Sequence, residues 1–191
     1  MSIVLASASP YRGDLLSRLE LPFVQSAADI DESPLPGESA AGLATRLAAA
    51  KARALGPRHP AAILIGSDQT LDCEGILLGK PGDFETARRQ LRRLSGRRAD
   101  FYTAVTLLDT ATGRELSDLA VTVVHFRALT EAEIERYLRR ETPYDCAGSF
   151  RAEGLGISLF EAVHSDDPTA LIGLPLIRLR RLLAACGVAV P

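Results

Sequence analysis

Residues 2–16, with the sequence SIVLASASPYRGDLL, contain in one short stretch the pattern that decides the fold. Residues 2–6 are apolar enough for a buried strand, and Leu15, Leu16 and Leu19 then recur at helical spacing. Between them lies a turn with two serines, a proline, an aromatic residue and an arginine. The stretch therefore predicts a strand, a polar turn and a helix, which is the repeating unit of α/β proteins.

A second apolar run, residues 61–67 (AAILIGS), predicts a strand that is covered on both faces, and we expect it to end at Asp68. A helix precedes this strand, because apolar residues recur on one helical face from about Glu38 until a stop signal at Gly56. Residues 29–37 (DIDESPLPG) are acidic and contain two prolines, which indicates a loop. These segments continue the alternation of strand and helix.

The second half of the chain adds further helices and a pair of antiparallel strands. The signals are a hairpin turn at Glu74-Gly75, a helix with Asp83 as its N-cap, strands over residues 100–109 and 117–127, a capping box of Thr130 with Glu133, and a last helix that begins near Pro175. We predict an α/β fold with a mixed β-sheet flanked by helices, and one domain that spans residues 1–191.

The composition fits a soluble globular protein, with 47% hydrophobic and 24% charged residues. The net charge of −2 argues against a surface built to bind nucleic acid. The three cysteines include no CxxC pair, so we expect neither a disulfide framework nor a zinc site. No apolar run reaches the roughly 18 residues of a membrane span, and a strand-like segment rather than a leader sequence follows Met1. We therefore expect a cytoplasmic protein with no membrane partner.

Arginines concentrate on one predicted helix and just after it, at positions 88, 89, 92, 93, 97 and 98. A cluster of this kind raises nucleic-acid binding as a hypothesis. The same helix has a clean apolar stripe that includes Leu91 and Leu94, so a solvated outer face accounts for most of the arginines. We predict no nucleic-acid partner.

Ligands of α/β proteins collect at the carboxyl ends of strands, which here carry SASPYR (residues 7–12) and GSDQ (residues 66–69). Asp68 suits a general base or a ligand for a divalent cation, although an aspartate after a strand can also form a turn. Glu32, beside Asp31 in the acidic loop, could complete a magnesium site, or it could belong to a solvated loop. These alternatives stay open from the residues alone.

Cationic and hydroxyl side chains near these strand ends suggest a site for phosphate groups. Arg12 stands at the start of a predicted helix, where free backbone N–H groups favour anions, and Ser7 and Ser9 add hydroxyl donors. Lys51 flanks an apolar helix stripe and Lys80 lies in a Gly-Lys-Pro turn, so each can present an ammonium group to phosphate oxygens. The alternatives are an ordinary N-cap turn and lysines that extend into solvent.

Taken together, these motifs resemble those of the Maf family of nucleoside triphosphate pyrophosphatases, in the family's order and over nearly the whole chain. The matching segments are LASASPYR (5–12), DIDES (29–33), RLAAAKA (46–52), IGSDQ (65–69), GKP (79–81), LRRLSG (91–96), CAGSF with EG (146–154) and GLPL (173–176). The resemblance implies a two-lobed single domain with a cleft, similar to the fold of inosine triphosphate pyrophosphatases.

The resemblance also implies a cytoplasmic enzyme that hydrolyses a nucleotide between its α and β phosphates, releases diphosphate and uses a divalent cation, Mg²⁺ or Mn²⁺. By the family's motifs, Asp68 would be the proton acceptor and, with Glu32, a metal ligand. Arg12, Lys51 and Lys80 would hold phosphate groups. The family resemblance further implies a homodimer.

Three positions resemble one branch of the family. Tyr11, Gln69 and Glu153 stand where the branch that acts on thymidine and uridine triphosphates has arginine, threonine and glutamine. They resemble the YceF-like branch, which is associated with 7-methyl-GTP. Methylation gives guanine a positive charge, which an aromatic face attracts by roughly 0.5–2 kcal/mol. A carboxylate such as that of Glu153 can accept two hydrogen bonds from the same base.

The resemblance therefore implies hydrolysis of 7-methyl-GTP to 7-methyl-GMP and diphosphate. A pyrophosphatase for dTTP, UTP or other modified nucleotides is one alternative, and a nucleotide-binding regulator of cell division is another. Gly13 departs from the family pattern, which has a second cationic residue after Arg12. The missing charge would weaken triphosphate binding unless Arg46 or Arg151 replaces it.

Overall fold

The computed structural model of the protein describes residues 2–190, and within this range strands and helices alternate along the chain. The strands are β1 (Ser2–Ala6), β2 (Phe23–Ser26), β3 (Ala62–Cys73), β4 (Ile76–Leu77), β5 (Arg98–Asp109), β6 (Arg114–Phe126) and β7 (Phe160–Ser165). The α-helices are α1 (Pro10–Ser17), α2 (Ala40–Leu55), α3 (Phe84–Leu94), α4 (Glu131–Glu141) and α5 (Leu176–Ala185). Across the described residues, no helix is long and apolar enough to cross a membrane.

The strands form one seven-stranded sheet with the order β2-β1-β3-β5-β6-β7, and β4 pairs with β3 beside this path. Strand β1 is parallel to both of its neighbours, β2 and β3. The pairs β3-β4 and β6-β7 are antiparallel. The predicted α/β class with a mixed sheet is therefore confirmed.

The described residues divide into two compact units. The first comprises residues 2–69, 103–120 and 167–190, and the second comprises residues 70–102 and 121–166. Strands β3, β5 and β6 each contribute residues to both units.

In the first unit, helices cover both faces of β1 and β3. Alternate residues such as Leu5 and Ile65 pack with Leu15 of α1 and with apolar residues of α5. The residues between them, including Leu64, pack with Leu55 of α2 on the opposite face. Both strands are thus buried on both sides, which explains why residues 61–67 are almost continuously apolar.

Gly66 brings β3 unusually close to α2. A Cβ atom built on this residue would lie 2.0 Å from the backbone oxygen of Ala48, so no larger residue fits without moving a strand or a helix. The close approach places the end of the apolar run beside the turn of α2 that carries Lys51.

The expected end of β3 at Asp68 is wrong, because the strand continues to Cys73. The polar residues do not interrupt it, since their side chains have partners inside the protein. Ser67 is fully buried and its hydroxyl lies 2.8 Å from the backbone oxygen of Ala104, while Asp68 pairs with Lys51. Buried polar groups that are satisfied in this way can lie within a strand as well as at its end.

The second unit contains two helices with predicted N-terminal caps, α3 and α4. Asp83 accepts a hydrogen bond from the backbone N–H of Thr86, and Thr130 and Glu133 form the complete capping box. The hairpin turn at Glu74-Gly75 is confirmed by the pairing of β3 with β4. These local signals are correct because each depends only on residues close in sequence.

The arginine-rich face of α3 is engaged with acidic side chains. Arg88 and Arg92 both contact the carboxylate of Glu131 at the start of α4, and Arg97 lies 3.2 Å from Glu74. These ion pairs favour the interpretation of α3 as a solvated outer face.

Candidate active site

A buried lysine joins two carboxylates in the first unit. The Nζ atom of Lys51 lies 2.6 Å from Asp68 Oδ1 and 2.7 Å from Glu32 Oε1. Lys51 and Asp68 are almost fully buried, whereas about half of the Glu32 side chain is exposed. The result is a carboxylate–ammonium–carboxylate chain that begins in the core and reaches solvent at Glu32.

The loop that carries Glu32 is fastened to α2 by an ion pair. Arg46 donates to both carboxylate oxygens of Glu38, at 2.7 and 2.8 Å, and also to the backbone oxygen of Ser33 at 2.9 Å. Glu38 in turn accepts a hydrogen bond from the backbone N–H of Leu35 at 3.0 Å. Two bonds to the loop backbone thus keep Glu32 within reach of Lys51.

Arg12 adds a second cation from the first turn of α1. Its Nε donates to the backbone oxygen of Gly173 at 2.8 Å. Burial lowers the pKa of Arg12, and the negative charges of Asp68 and Glu32 oppose this shift. Arginine side chains are not deprotonated in proteins, so Arg12 supplies a positive charge.

The carboxyl group of Asp68 has a raised pKa. Burial is the main cause, because removal from water disfavours the charged form, and the nearby Glu32 adds to the rise. Lys51 and Arg12 act in the opposite direction, through their charges and, for Lys51, a hydrogen bond. Asp68 is therefore a stronger base than an aspartate in water, yet it is held beside two cations.

The turn between β1 and α1 carries two serine hydroxyls close to Arg12 in sequence. Ser7 is buried, and its Oγ accepts a hydrogen bond from the backbone N–H of Ser9 at 3.1 Å. Ser9 is the N-cap residue of α1, but its side chain makes no capping hydrogen bond. The Ser9 hydroxyl is therefore not used to close the helix, and Pro10 at the first helical position has no N–H to satisfy.

Gln69 is bound firmly within the first unit. Its Nε2 atom lies 2.9 Å from both Thr103 Oγ1 and the backbone oxygen of Ala170, and 3.2 Å from that of Leu171. Tyr11 is half-buried in the first turn of α1. The structure thus places two of the three predicted specificity residues in the same unit as Asp68 and Lys51.

Lys80 and Glu153 lie in the second unit. Lys80 is exposed in the loop between β4 and α3. The Oε1 atom of Glu153 lies 4.0 Å from the Nε atom of Arg151, whose Nη1 atom is 3.1 Å from Glu141. Arg151 is therefore already close to two carboxylates.

The sequence model of the family described as "Maf-like protein" matches residues 2–186. The chain belongs to the Maf family.

Relatives of this Maf-family protein match it over nearly its full length. A protein of Polaromonas sp. named "7-methyl-GTP pyrophosphatase" is 55% identical over 98% of this chain and 85% of its own. Proteins with the same name from Bordetella pertussis and Pseudomonas fluorescens are 53% and 54% identical, over 97% and 100% of this chain and 92% and 100% of their own. Among solved structures, the Ham1 protein of Staphylococcus aureus covers 66% of this chain and 72% of its own at 16% identity, with a TM-score of 0.47.

The carboxylates of this Maf-family protein fit a hard divalent cation. Within residues 2–190 no group of three or more histidine, cysteine or acidic side chains is arranged to hold a metal ion. Asp68 and Glu32 nevertheless contact the same ammonium group, so their oxygens lie within two hydrogen-bond lengths of each other. Mg²⁺ commonly uses only one or two carboxylates and takes its other ligands from water and substrate phosphates. The donor set is therefore suitable for Mg²⁺ or Mn²⁺.

Gln25 occupies the space where the family's second cation would begin. A Cβ atom built on Gly13 would lie 2.6 Å from Gln25 Oε1, and Gln25 Nε2 donates to the backbone oxygen of Ser9 at 2.8 Å. Arg46, one of the two arginines that could supply the charge that Gly13 lacks, forms an ion pair with Glu38. The residue opposite Gly13 is thus a neutral amide that supports the turn.

Sequence reasoning missed four contributors to the site. They are Gln25, Thr103, and the backbone carbonyls of Ala170 and Gly173. The carbonyls carry no sequence signal, because any residue has one. In this segment the sequence offers only the GLPL motif at residues 173–176 and the helix start near Pro175.

Proposed function

We propose that this Maf-family protein hydrolyses 7-methyl-GTP to 7-methyl-GMP and diphosphate. The observation that carries the proposal is sequence identity of 53–55%, over nearly the full chain, to proteins that bear this activity in their names. The proposal is also supported by Tyr11, Gln69 and Glu153, which depart from the pattern of the branch that acts on pyrimidine nucleotides.

Arg12 and Lys51 supply positive charge for the triphosphate. Hydrolysis of a phosphoanhydride needs mainly in-line positioning and neutralisation of the phosphate oxygens. The Lys51 ammonium is held by two carboxylates, and Arg12 is held by the Gly173 carbonyl, so both cations are oriented before substrate binds. We assign the hydroxyls of Ser7 and Ser9 to further phosphate contacts.

Asp68 accepts a proton in the proposed reaction. The oxygen of a water molecule forms a bond to the α-phosphorus while Asp68 takes the proton from that water. The bond from the α-phosphorus to the bridging oxygen then breaks, and its electron pair leaves with diphosphate. Burial raises the pKa of Asp68 and so makes it a better acceptor near neutral pH.

Asp68 and Glu32 would hold the divalent cation, Mg²⁺ or Mn²⁺. When bound, such a cation neutralises phosphate charge and makes a coordinated water more acidic. The lysine between the two carboxylates keeps them close to each other in its absence. The proposed roles of these residues are therefore compatible with a single cation at this position.

The aromatic face of Tyr11 is assigned to the methylated base. A 7-methylguanine ring carries a positive charge that an aromatic ring attracts and that unmodified guanine lacks. Gln69 is fixed by Thr103 and by two loop carbonyls, so its amide has one orientation from which to contact a nucleotide. For Glu153 as a base contact and Lys80 as a phosphate contact, the proposal rests on the family's motifs alone.

The test is a diphosphate-release assay with 7-methyl-GTP, GTP, dTTP and UTP, each with Mg²⁺ or Mn²⁺. We expect 7-methyl-GTP to have the highest kcat/KM and Tyr11→Ala to reduce that preference more than it reduces the rate with GTP. Equal turnover of all four nucleotides would favour the broader pyrophosphatase. Binding without turnover would favour a nucleotide-binding regulator of cell division.

We further propose that residues 1–191 act as one domain, in the cytoplasm and as a homodimer. Light scattering during gel filtration measures the mass in solution against the 20.5 kDa of one chain. A mass of one chain at micromolar concentration would contradict the homodimer.

A further inference from the structure

Residues 167–175 precede α5 in the first unit, and we call them the 167–175 loop. Its backbone carbonyls are partners of two candidate-site side chains. Gly173 accepts from Arg12 Nε at 2.8 Å, while Ala170 and Leu171 accept from Gln69 Nε2 at 2.9 and 3.2 Å. Arg12 belongs to α1 and Gln69 to β3, so the loop is a common support for side chains from separate elements.

Asp167 fastens this loop to the start of α5. Its carboxylate is fully buried. The Oδ2 atom accepts hydrogen bonds from the backbone N–H groups of Ile177 and Arg178, at 3.0 and 3.2 Å, in the first turn of the helix. The free N–H groups and the helix dipole favour a carboxylate at this position, and Arg178 Nη1 lies 4.0 Å from the same oxygen.

Thr169 connects the other oxygen of Asp167 to the end of the loop. Its Oγ1 atom lies 2.9 Å from Asp167 Oδ1 and 2.8 Å from the backbone oxygen of Leu174. The same hydroxyl oxygen accepts a hydrogen bond from the backbone N–H of Leu176 at 2.9 Å. Asp167 and Thr169 together therefore fix both ends of the segment that carries the three carbonyls.

We propose that Asp167 is a positioning residue for the reaction, which fixes Arg12 and Gln69 relative to each other through the 167–175 loop. Its effect on turnover rests on the proposed function, in which Arg12 binds phosphate and Gln69 contacts the nucleotide. A small displacement of the loop moves the acceptors of both side chains at once. Phosphate binding and base discrimination therefore change together when Asp167 is altered.

The experiment compares Asp167→Asn and Thr169→Val with a matched control, Asp109→Asn. In Asp167→Asn, an N–H₂ group replaces one of the two accepting oxygens, so the residue keeps its bonds either to the α5 N–H groups or to Thr169, but not to both. Asp109 is also nearly buried and accepts from the backbone N–H of Ala111 and from Thr112 Oγ1, in the turn after β5. Thr169→Ser keeps the hydroxyl and serves as the conservative variant.

Two measurements are made on each folded variant. The first is the ratio of kcat/KM for 7-methyl-GTP to that for GTP, with kcat and KM determined separately. The second is the ¹H–¹⁵N resonance of Arg12 Nε and its rate of hydrogen exchange, which report on the bond to Gly173 without any turnover.

We expect Asp167→Asn and Thr169→Val to raise KM and to lower the preference for 7-methyl-GTP, each by roughly tenfold. The Arg12 Nε signal should shift and exchange faster in both variants. Thr169→Ser and Asp109→Asn should keep the wild-type preference and the wild-type signal, even where they lower stability. If Asp167→Asn does not fold, Thr169→Val decides the outcome.

The inference is overturned if the preference and the Arg12 signal stay unchanged in the folded variants, or if Asp109→Asn changes them equally. An inactive wild-type protein contradicts the proposed function instead. In that case the Arg12 signal still decides whether Asp167 positions the arginine.

Discussion

Asp68 is the residue on which the proposed chemistry depends most directly, because it is buried and is paired with Lys51, a proposed phosphate-binding cation. We predict that Asp68→Asn lowers kcat by about 10²–10⁴-fold, the usual contribution of a general base. Binding of diphosphate without a divalent cation, measured by calorimetry, should not weaken, because Lys51 and Arg12 are unchanged. Asp72→Asn, near the end of β3, where the carboxylate accepts a hydrogen bond from the backbone N–H of Gly75, is the control. A mutant that retains most of its activity would remove Asp68 from the role of proton acceptor.

The pH dependence of the reaction tests the environment of the same carboxyl group. Asp68 must be ionised to accept a proton, and burial raises its pKa above the ordinary value of 3.8, so kcat/KM should fall on the acid side at a pH above 3.8. Lys51 lowers the pKa of Asp68, so Lys51→Met should move this acid limb to higher pH. The quantity to compare is the pH at the midpoint of the acid limb. The height of the kcat/KM profile is not suitable, because Lys51→Met also weakens phosphate binding. An unchanged midpoint would contradict the assignment of the limb to Asp68.

Gly13 and Gln25 should be energetically coupled, since the Gln25 amide occupies the space of a side chain at position 13. Alanine in a helix is more stable than glycine by roughly 0.5–1 kcal/mol. We predict that Gly13→Ala gives this gain in a Gln25→Ala background but much less in the wild type, where it displaces Gln25 from Ser9. A double-mutant cycle of urea unfolding measures the coupling. Additive effects would show that Gln25 moves aside without cost.

At the scale of elements, the loop that carries Glu32 depends on the pair between Glu38 and Arg46. The hydrogen bond from Arg46, and next that from the Leu35 backbone, lower the pKa of Glu38 to about 2. A carboxyl whose pKa is lower in the folded state stabilises the fold above its unfolded pKa, near 4.5, and loses this effect as the pH falls toward 2.

We therefore predict that Glu38→Gln is less stable than the wild type at pH 7 and that the difference shrinks between about pH 4.5 and pH 2. Urea unfolding at a series of pH values measures this difference in the free energy of unfolding. Glu161→Gln, on the exposed strand β7, is the control and should show a smaller difference. If the difference in stability between Glu38→Gln and the wild type stayed constant across this pH range, the ion pair would not be its source.

The sequence predicts those elements whose signals are local. The caps at Asp83 and Thr130 and the turn at Gly75 depend on neighbouring residues, and all three are observed. Strand β2 was not predicted, because its four residues alternate poorly and it exists through pairing with β1. Strand β7 was missed for a similar reason, since most of its residues are exposed and its partner β6 lies far away in sequence.

In the candidate site, too, features visible in the local sequence could be predicted and features that depend on distant residues could not. Side chains with charge, such as Arg12, Lys51 and Asp68, could be predicted because their chemistry is visible in the sequence. The expected strand end at Asp68 was wrong because the polar residues find partners on other elements, which no local pattern shows. Gly173 acts through its carbonyl oxygen, and only the fold reveals which oxygen faces Arg12.

At the scale of the whole molecule, the two compact units share three strands of one sheet. Strands β3, β5 and β6 are covalently continuous from one unit into the other. Unfolding of either unit therefore removes part of a strand that the other unit uses. This argues for one cooperative structure rather than two independently stable domains, in line with the proposed single domain.

We predict a single unfolding transition, and two tryptophan probes test it, because the sequence contains no tryptophan. Phe23→Trp reports on the first unit and Phe84→Trp on the second, each at a half-buried aromatic position. In each variant, tryptophan fluorescence should give the same urea midpoint as far-ultraviolet circular dichroism of that same variant. Comparing the two signals within one variant allows for any change in stability that the substitution itself causes. The calorimetric enthalpy should also equal the van't Hoff enthalpy. Separate midpoints for the two probes would mean that the shared strands do not couple the units, and residues 1–191 would then be two domains in the thermodynamic sense.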